Sequence, residues 1–468
     1  MAIIQVKFDN TLKQSDIIVP LTNSSRDEAE EAYTQNRPAV QQTAVYGIQS
    51  PLIMVNNIVI DFSDVLLFEL SCVYDTPSVK LAVRDRYNLI STIDTPSVDN
   101  ELRIQILPKF EDKYKKINLT FYITRSSING NVIDIRGEYK LSKFTSDNIK
   151  SFGEISTYQL IEKISQETGL GFASNVSDSN DKRYIYCNNK SYNDLLQSEI
   201  EMSGSDMQVY DYWIDWWNNV VFADIYERYN ATDSDEDMQI WVSGQQKEVE
   251  EGSEVQPQKV VASFNNHIAN STSELYIKDY NVINNSGEQM YSGTDRVYSI
   301  FNSETGEYSD YLIQDGDTQK DIYAKYEYLG EVYGEHDYLL SKVKRNAFLQ
   351  KIRSNETIEI TLRTPLLGVM RGNRCNLLWY INDDMVNNLK ETMSEAGVIQ
   401  EDPASNIPLS AGDNVEDNNG AGSFTLDKTK SGQYLITSCR IGFEEGEWSY
   451  KITLSRPTAD KPVIINEE

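Results

Sequence analysis

Three carboxylates, Asp211, Asp215 and Asp224, stand among three indoles, Trp213, Trp216 and Trp217, in the stretch 211–228 (DYWIDWWNNVVFADIYER). A glycosidase needs such a set: one acid to protonate the leaving oxygen, one carboxylate to attack or activate water, and flat rings to stack on sugar. The same pattern fits a hairpin with one aromatic face in a core or at a subunit contact. That plainer reading is preferred, because any acidic chain offers candidate carboxylate pairs. A second cluster, Asp233, Asp235, Glu236 and Asp237, has the acid density of a calcium loop. It lacks the central Gly and the distant bidentate Glu of an EF-hand, so it reads as a solvated loop.

Other chemistry is limited by supply. The chain has 2 histidines, His267 and His336, and neither lies in a nucleophile context such as GxSxG. Its 4 cysteines, Cys72, Cys187, Cys375 and Cys439, are far apart and form no CxxC pair. They are expected to be buried thiols in a reducing compartment, and zinc sites built on three His or on Cys and His are not expected. No Walker A or GxGxxG motif occurs. No catalytic, cofactor-binding or metal residue is therefore assigned, and the chain reads as non-enzymatic.

Composition narrows the partners. With 40% hydrophobic and 25% charged residues, the 468-residue chain is an ordinary globular protein, expected to split into roughly two to four units. The net charge of −29 supplies no broad cationic face for nucleic-acid backbones or anionic membranes. The acidity serves solubility, or makes a surface that repels its own copies until it meets a complementary partner. Tyr, at 29 residues, outnumbers the 14 Phe and 6 Trp, which suits half-buried sheet faces and interfaces. The start, MAIIQVKFDN, lacks the pattern of a signal peptide, and no apolar run reaches the length of a bilayer span.

Residues 1–51 are polar and are read as an N-terminal arm. From Leu52 the pattern is one of strands, with short ones expected at 68–72, 79–83 and 103–107. In 117–124 (INLTFYIT), Ile117, Leu119, Phe121 and Ile123 alternate with polar residues, the period of a half-buried strand. Asn129-Gly130 offers a tight hairpin turn before Ile133 and Ile135 resume the alternation. Ser156 then caps a predicted helix carrying Leu160, Ile161 and Ile164, ended by Gly169, and Ser191 caps a second carrying Leu195, Leu196 and Ile200. The 211–228 stretch is expected to fold as a hairpin turning at Asn218-Asn219.

Residues 201–260 hold 14 Asp and Glu against 3 Lys and Arg, so much of this part is read as an acidic linker. Residues 261–345 give a weaker, Tyr-rich pattern, with a helix expected near 335–349. Strands return at Ile358, Ile360 and Leu362, then at Cys375, Leu377 and Trp379 after the Arg371-Gly372-Asn373 turn. Residues 383–427, with 10 Asp and Glu against 1 Lys, read as a long acidic loop. A last hairpin runs from Tyr434 through a turn at 444–446 to Leu454.

Several local phrases occur in a telling order: Val83-Arg84-Asp85, then Asp94-Thr95-Pro96-Ser97 and Asn100-Glu101-Leu102; Gly169-Leu170-Gly171-Phe172 and Ser191-Tyr192-Asn193-Asp194-Leu195-Leu196; 212–222 (YWIDWWNNVVF); 367–377 (LGVMRGNRCNL); 431–436 (SGQYLI) and 450–456 (YKITLSR). From about 54 to 457 this succession resembles the baseplate hub proteins of contractile-tailed bacteriophages, which are related to the N-terminal part of type VI secretion spike proteins. The resemblance implies a mostly β protein: two tail-tube-like β-barrel domains, 52–145 and 346–468, bracketing a small α/β insert, 146–230, and a mixed insert with acidic linker, 231–345. It implies a homotrimer in the virion tail baseplate, assembled in the host bacterial cytoplasm. Three chains then give six tube-like domains, a symmetry adaptor between a hexameric tail tube and a three-fold central spike. The implied partners are the tube, spike and baseplate wedge proteins, with the tape measure protein possible; DNA passes through the lumen without stable binding, and no membrane anchor is implied. Loop 383–427 and the arm do not align with that pattern. The competing readings are a tail-associated wall-degrading enzyme using Asp211, Asp215 or Asp224, and a glycan-binding tail protein using the aromatic hairpin.

Overall fold

The computed structural model describes residues 48, 50–73, 75–93, 99–107, 117–203, 208–230, 238–242, 261–263, 277–283, 296–313, 325–332, 352, 357–365, 367, 369–382, 424–426, 430–444 and 446–456. The protein is mostly β, with few helices and one large curled sheet.

Alternation builds the first part. β1 (Leu52–Val55) and β2 (Ile58–Ile60) pair through a two-residue turn, Asn56-Asn57, with φ of 45° and 71°. Asn is the non-glycine residue that tolerates this left-handed geometry best. β3 (Val65–Cys72), β4 (Ser78–Arg84) and, after the helical turn α1 (Leu89–Thr92), β5 (Glu101–Ile106), β6 (Ile117–Asn129) and β7 (Val132–Tyr139) follow. All pair antiparallel in the order β3-β4-β7-β6-β5-β1-β2. Every second residue goes into the core: Phe68 and Leu70, Val79 and Leu81, Ile104, Ile117, Leu119 and Phe121, Ile133 and Ile135. The β6–β7 turn falls one residue later than expected. Asn129 pairs with Val132, so Gly130-Asn131 is the loop, with Gly130 at φ 62°.

After the short α2 (Ser142–Thr145) comes an α/β segment. It contains β8 (Asn148–Ile155), α3 (Thr157–Thr168), β9 (Gly171–Ser174), β10 (Arg183–Lys190), α4 (Tyr192–Glu201), β11 (Tyr210–Ile214), β12 (Asn219–Asp224) and α5 (Ile225–Asn230). The expected caps are present. Ser156 and Gln159 form a reciprocal capping box at α3, Gly169 ends that helix at φ 77°, and the Ser191 hydroxyl accepts from Asp194 N at α4. Both helices bury the stripe that their periodicity predicts. The aromatic hairpin is β11–β12, and β12 also pairs parallel with β9. Its second arm stops at Asp224, where α5 begins, so the hairpin is shorter than the 211–228 pattern suggests.

The last part contains β13 (Met238–Val242), β14 (Val261–Ser263), β15 (Ile277–Ile283), β16 (Arg296–Asn302), β17 (Glu307–Ile313), β18 (Lys325–Val332), β19 (Thr357–Leu362), β20 (Arg374–Asn382), β21 (Phe424–Leu426), β22 (Gly432–Glu444) and β23 (Glu447–Ser455). β16, β17 and β18 make a separate three-stranded sheet. The others form the ladder β14-β13-β20-β22-β23-β19-β15, with β21 on the far end of β20. β13, β14 and β15 lie in the stretch read as insert and linker, yet their partners are strands of this second β unit. Sequence-local patterning misses them because their partners are distant and two of the pairings are parallel.

The two ladders are one sheet of 15 strands, because β22 changes neighbour along its length. Gly432–Leu435 pair with β20, while Cys439–Glu444 pair with β3, and β23 follows the other edge from Leu435 to Glu444. Across this seam Phe62 packs on Phe443 at 4.7 Å and stacks on Trp448 at 5.6 Å. The expected helix at 335–349 and the bodies of the arm 1–51 and of loop 383–427 lie outside the described residues.

The close packing inside the first unit yields a direct test. Gly137 faces the core from β7, and an added Cβ would meet Val79 Cγ1 at 2.8 Å and Phe121 Cβ at 2.9 Å. Gly137→Ala is expected to destabilise the protein by about 1–3 kcal/mol, the range for overpacking a filled core. Urea unfolding measures it, and an unchanged midpoint would contradict this packing.

Candidate functional site

The aromatic hairpin lies where the two β units and the α/β segment meet. Its tip is the four-residue turn Asp215-Trp216-Trp217-Asn218, with Asn218 at φ 60°. The Asp215 carboxylate accepts from Trp217 N at 2.8 Å, Asn219 N at 2.8 Å and Asn219 Nδ2 at 2.9 Å. The turn is therefore wrapped around an acid. Asn218 docks the tip on the first β unit: its Oδ1 accepts from Tyr139 OH at 2.6 Å and its Nδ2 donates to Asn118 O at 3.1 Å.

The opposite flank is held by the Arg371-Gly372-Asn373 turn of the second unit. The Arg371 guanidinium lies 5.1 Å from the Trp213 ring centre and pairs with Asp211 at 2.8 Å. Gly372, at φ 84°, lets the indole approach so closely that a Cβ there would lie 2.6 Å from Trp213 Cη2. Arg228 Nε donates to Gly372 O at 2.6 Å, Gly372 N to Ile436 O at 2.8 Å, and Ile436 N to Asn373 O at 2.9 Å. On the remaining side Ile214 N donates to Asp75 O at 2.7 Å, from the loop after β3. One hairpin thus joins three parts of the chain.

This geometry decides the chemistry. Trp213, Trp216 and Trp217 are at most 1% exposed, so no face is open for a sugar. Asp215 and Asp224 are 2% and 3% exposed. Asp224 caps α5, accepting from Val209, Tyr226 and Glu227 N–H groups at 3.0–3.2 Å. Asp211 is spent on Arg371. A carboxylate pair for glycoside cleavage must flank a bond that can enter between them; these three are engaged with protein donors instead. Of the other candidates, His267, His336, Asp233, Asp235, Glu236 and Asp237 lie outside the described residues. Among the described residues, no group of three or more His, Cys, Asp or Glu could hold a metal ion, and no helix is long and apolar enough to cross a membrane. All four cysteines are buried free thiols, as expected.

Burial sets the protonation of this junction. It raises the Asp215 carboxyl to about 6, against the pull of the three N–H donors. Burial likewise raises Asp75 and Asp224. Burial pulls the Arg371 guanidinium down, but the facing Asp211 and Asp75 carboxylates carry it above its ordinary value. The roles of Arg371, Gly372 and Asp75 were not visible in the sequence, where 371–373 read only as a turn.

The surfaces left open are sheet edges and aromatic faces. Within the described ladders β2 pairs only with β1, β14 only with β13, and β15 on one side only with β19. Ile149, Tyr184 and Tyr186 stand out from the β8–β10 pair, and Tyr308 and Tyr328 from the three-stranded sheet. Such edges and half-wet rings are what β assemblies use for lateral contact.

No family model matches the chain, and no curated protein matches it in sequence. Solved structures do resemble it. It is similar to a tail protein from Neisseria meningitidis MC58, with TM-score 0.49 and 8% identity, over 88% of this chain and 97% of that one. It is similar to the prophage MuSo2 43 kDa tail protein from Shewanella oneidensis, with TM-score 0.48 and 10% identity, over 88% and 99%. It is also similar to the half-lidded Francisella PdpA–VgrG complex, with TM-score 0.39 and 12% identity, over 95% and 64%. The structures it resembles are thus phage tail proteins and a VgrG complex.

Two outcomes follow from the junction. Gly372→Ala brings a methyl group against Trp213 at a positive φ, and is expected to cost at least about 2 kcal/mol in thermal or urea unfolding. A wild-type melting curve would remove the turn from its place as a clamp. The second outcome concerns pH. The folded Asp215 pKa of about 6 exceeds its ordinary 3.8, so folded protein holds the proton longer. The stability linked to neutral Asp215 is full below about pH 4 and lost as pH rises through about 6, roughly 3 kcal/mol in all. Stability of wild type minus that of Asp215→Asn, measured by urea unfolding from pH 4 to 7, should fall by about that amount; a flat difference contradicts it.

Proposed function

We propose that this chain is the structural baseplate hub of a contractile phage tail, a trimeric adaptor between the hexameric tail tube and the three-fold central spike. The observation that carries this reading is the pair of β units, the first antiparallel and the second mostly so, fused through β22 and β3 and bracketing an α/β segment. That is the arrangement the resemblance in the sequence implies. In this reading 52–145 is the first tube-like domain, and 346–458 with β13, β14 and β15 makes the second. Three chains then offer six such domains to the tube.

The open edges β2, β14 and β15 fit lateral contacts within a ring, since a paired edge is protected from indiscriminate pairing. The net charge of −29 suits a lumen through which DNA slides without phosphate contacts. Spike, tube and wedge proteins are the partners in this reading, the virion tail is its location, and the protein has no catalytic role. The wall-degrading and glycan-binding readings lose their residues, because Asp215, Asp224 and the three indoles are enclosed in the junction and Asp211 is paired with Arg371.

Native mass measurement of the purified chain, alone and with a tube protein of the same phage, tests the hub. A trimer that caps tube hexamers is expected. A monomer that clears peptidoglycan, and stops doing so as Asp215→Asn, would overturn it.

A further inference from the structure

Cys72 and Cys439 are separated by most of the chain but are direct partners across the antiparallel β3–β22 ladder. They form the terminal rung of the seam that joins the two β units. Beside them β22 passes from β20 to β3, and its pairing with β23 shifts register between Ile436 and Ser438. Both are free thiols, 3% and 0% exposed. Cys72 Sγ also donates to Ile214 O at 3.6 Å, so the pair touches the aromatic hairpin. Directly opposed residues of an antiparallel pair have Cα atoms about 4.5–5.5 Å apart. A disulfide takes Cα separations of about 4.4–6.8 Å, so the backbone spacing of this rung is within its reach and closure needs only a small approach of the two Cβ atoms.

We propose that Cys72 and Cys439 form a redox clip across the seam, open while the chain is in a reducing medium and closed to a disulfide by low-molecular-weight disulfides in an oxidising one. The closure is two exchanges. One cysteine thiolate attacks a sulfur of the external disulfide, forming a mixed disulfide and expelling one small thiolate. The partner cysteine thiolate then attacks the protein sulfur of that mixed disulfide, expelling the second. Two electrons pass from the protein thiols to the external disulfide, and the two thiol protons end on the released small thiols.

Two features of the site bear on the rate. Enclosure slows attack, since the small disulfide must reach a rung that opens only by fraying at the end of its ladder. The hydrogen bond with Cys439 and burial hold the Cys72 thiol well up. Cys439, though burial opposes it, is brought down by its hydrogen bonds with Cys72 and Tyr450, so Cys439 is the thiolate that attacks first. Cys187 and Cys375 lie on other strands, β10 and β20; Lys150 is the ladder partner of the first, Tyr434 and Met238 those of the second. They have no cysteine opposite and serve as internal controls. The clip does not rest on the hub reading, since it concerns one chain and a trimer is not required.

The test incubates the full-length chain with oxidised glutathione under native conditions, then blocks remaining thiols and maps peptides. Loss of two of the four thiols, a peptide joining Cys72 to Cys439, and a urea midpoint that rises and returns with dithiothreitol are expected. Cys439→Ala should lose the linked peptide. Cys187→Ala, which leaves the rung intact, should keep both the linked peptide and the midpoint shift. Four free thiols after incubation, glutathione adducts alone, or a link involving Cys187 or Cys375 would overturn the clip.

Discussion

A tryptophan ring resting on a glycine backbone holds this molecule together. Trp213 belongs to the α/β segment and Gly372 to the second β unit, and the indole lies where a side chain on residue 372 would have to be. The absence of a side chain brings a hairpin and a turn into contact at a positive φ, in which Gly372 N–H donates to Ile436 and its C=O accepts from Arg228. The Arg371 cation then covers the same ring and neutralises Asp211. Ring face, backbone dipoles and ion pair converge on one small volume. A buried cation is costly alone, and here the indole and carboxylate offset that cost together.

The fusion of the two β units depends on this clamp at one remove. Ile436, bonded to the 371–373 turn, sits in β22 between the segment that pairs with β20 and the segment that pairs with β3. A strand that changes neighbours must satisfy the N–H and C=O groups left over at the change, and Gly372 and Asn373 supply those bonds. Beyond the change, the Phe62, Phe443 and Trp448 rings close the seam. The long final hairpin is therefore the spine of the fold, and its register is fixed at both ends.

Much of this was legible wherever one face of an element is wet. The runs from Ile117 and from Thr357 alternate because solvent takes every second side chain, and that period survives in the sequence. Ser156, Gly169 and Ser191 were legible because caps act within a few residues. The membership of β13, β14 and β15 was not. β13 and β14 are short, and the partners of all three are set by chain folding rather than by neighbours in sequence, so no local pattern assigns them. The acids of 211–228 misled for a related reason. Composition records that Asp215 is present, but not that three N–H donors surround it. Arg371 looked like a turn residue because its partners, Trp213 and Asp211, are distant in the chain.

The position of charge in the molecule completes the argument. A chain of net charge −29 has no shortage of acids, and most can stay in water. Asp215 and Asp224 do not; each is buried where backbone N–H groups would otherwise lack partners, at the tip of a turn and the start of a helix. A neutral Asn would supply fewer acceptor sites for converging donors. Burial raises their affinity for protons, which is the cost of using a carboxylate as a turn anchor rather than as a reagent. The same residues that first suggest a catalyst thus tie the junction together, and the surfaces able to recognise partners are the open edges and exposed tyrosines away from it.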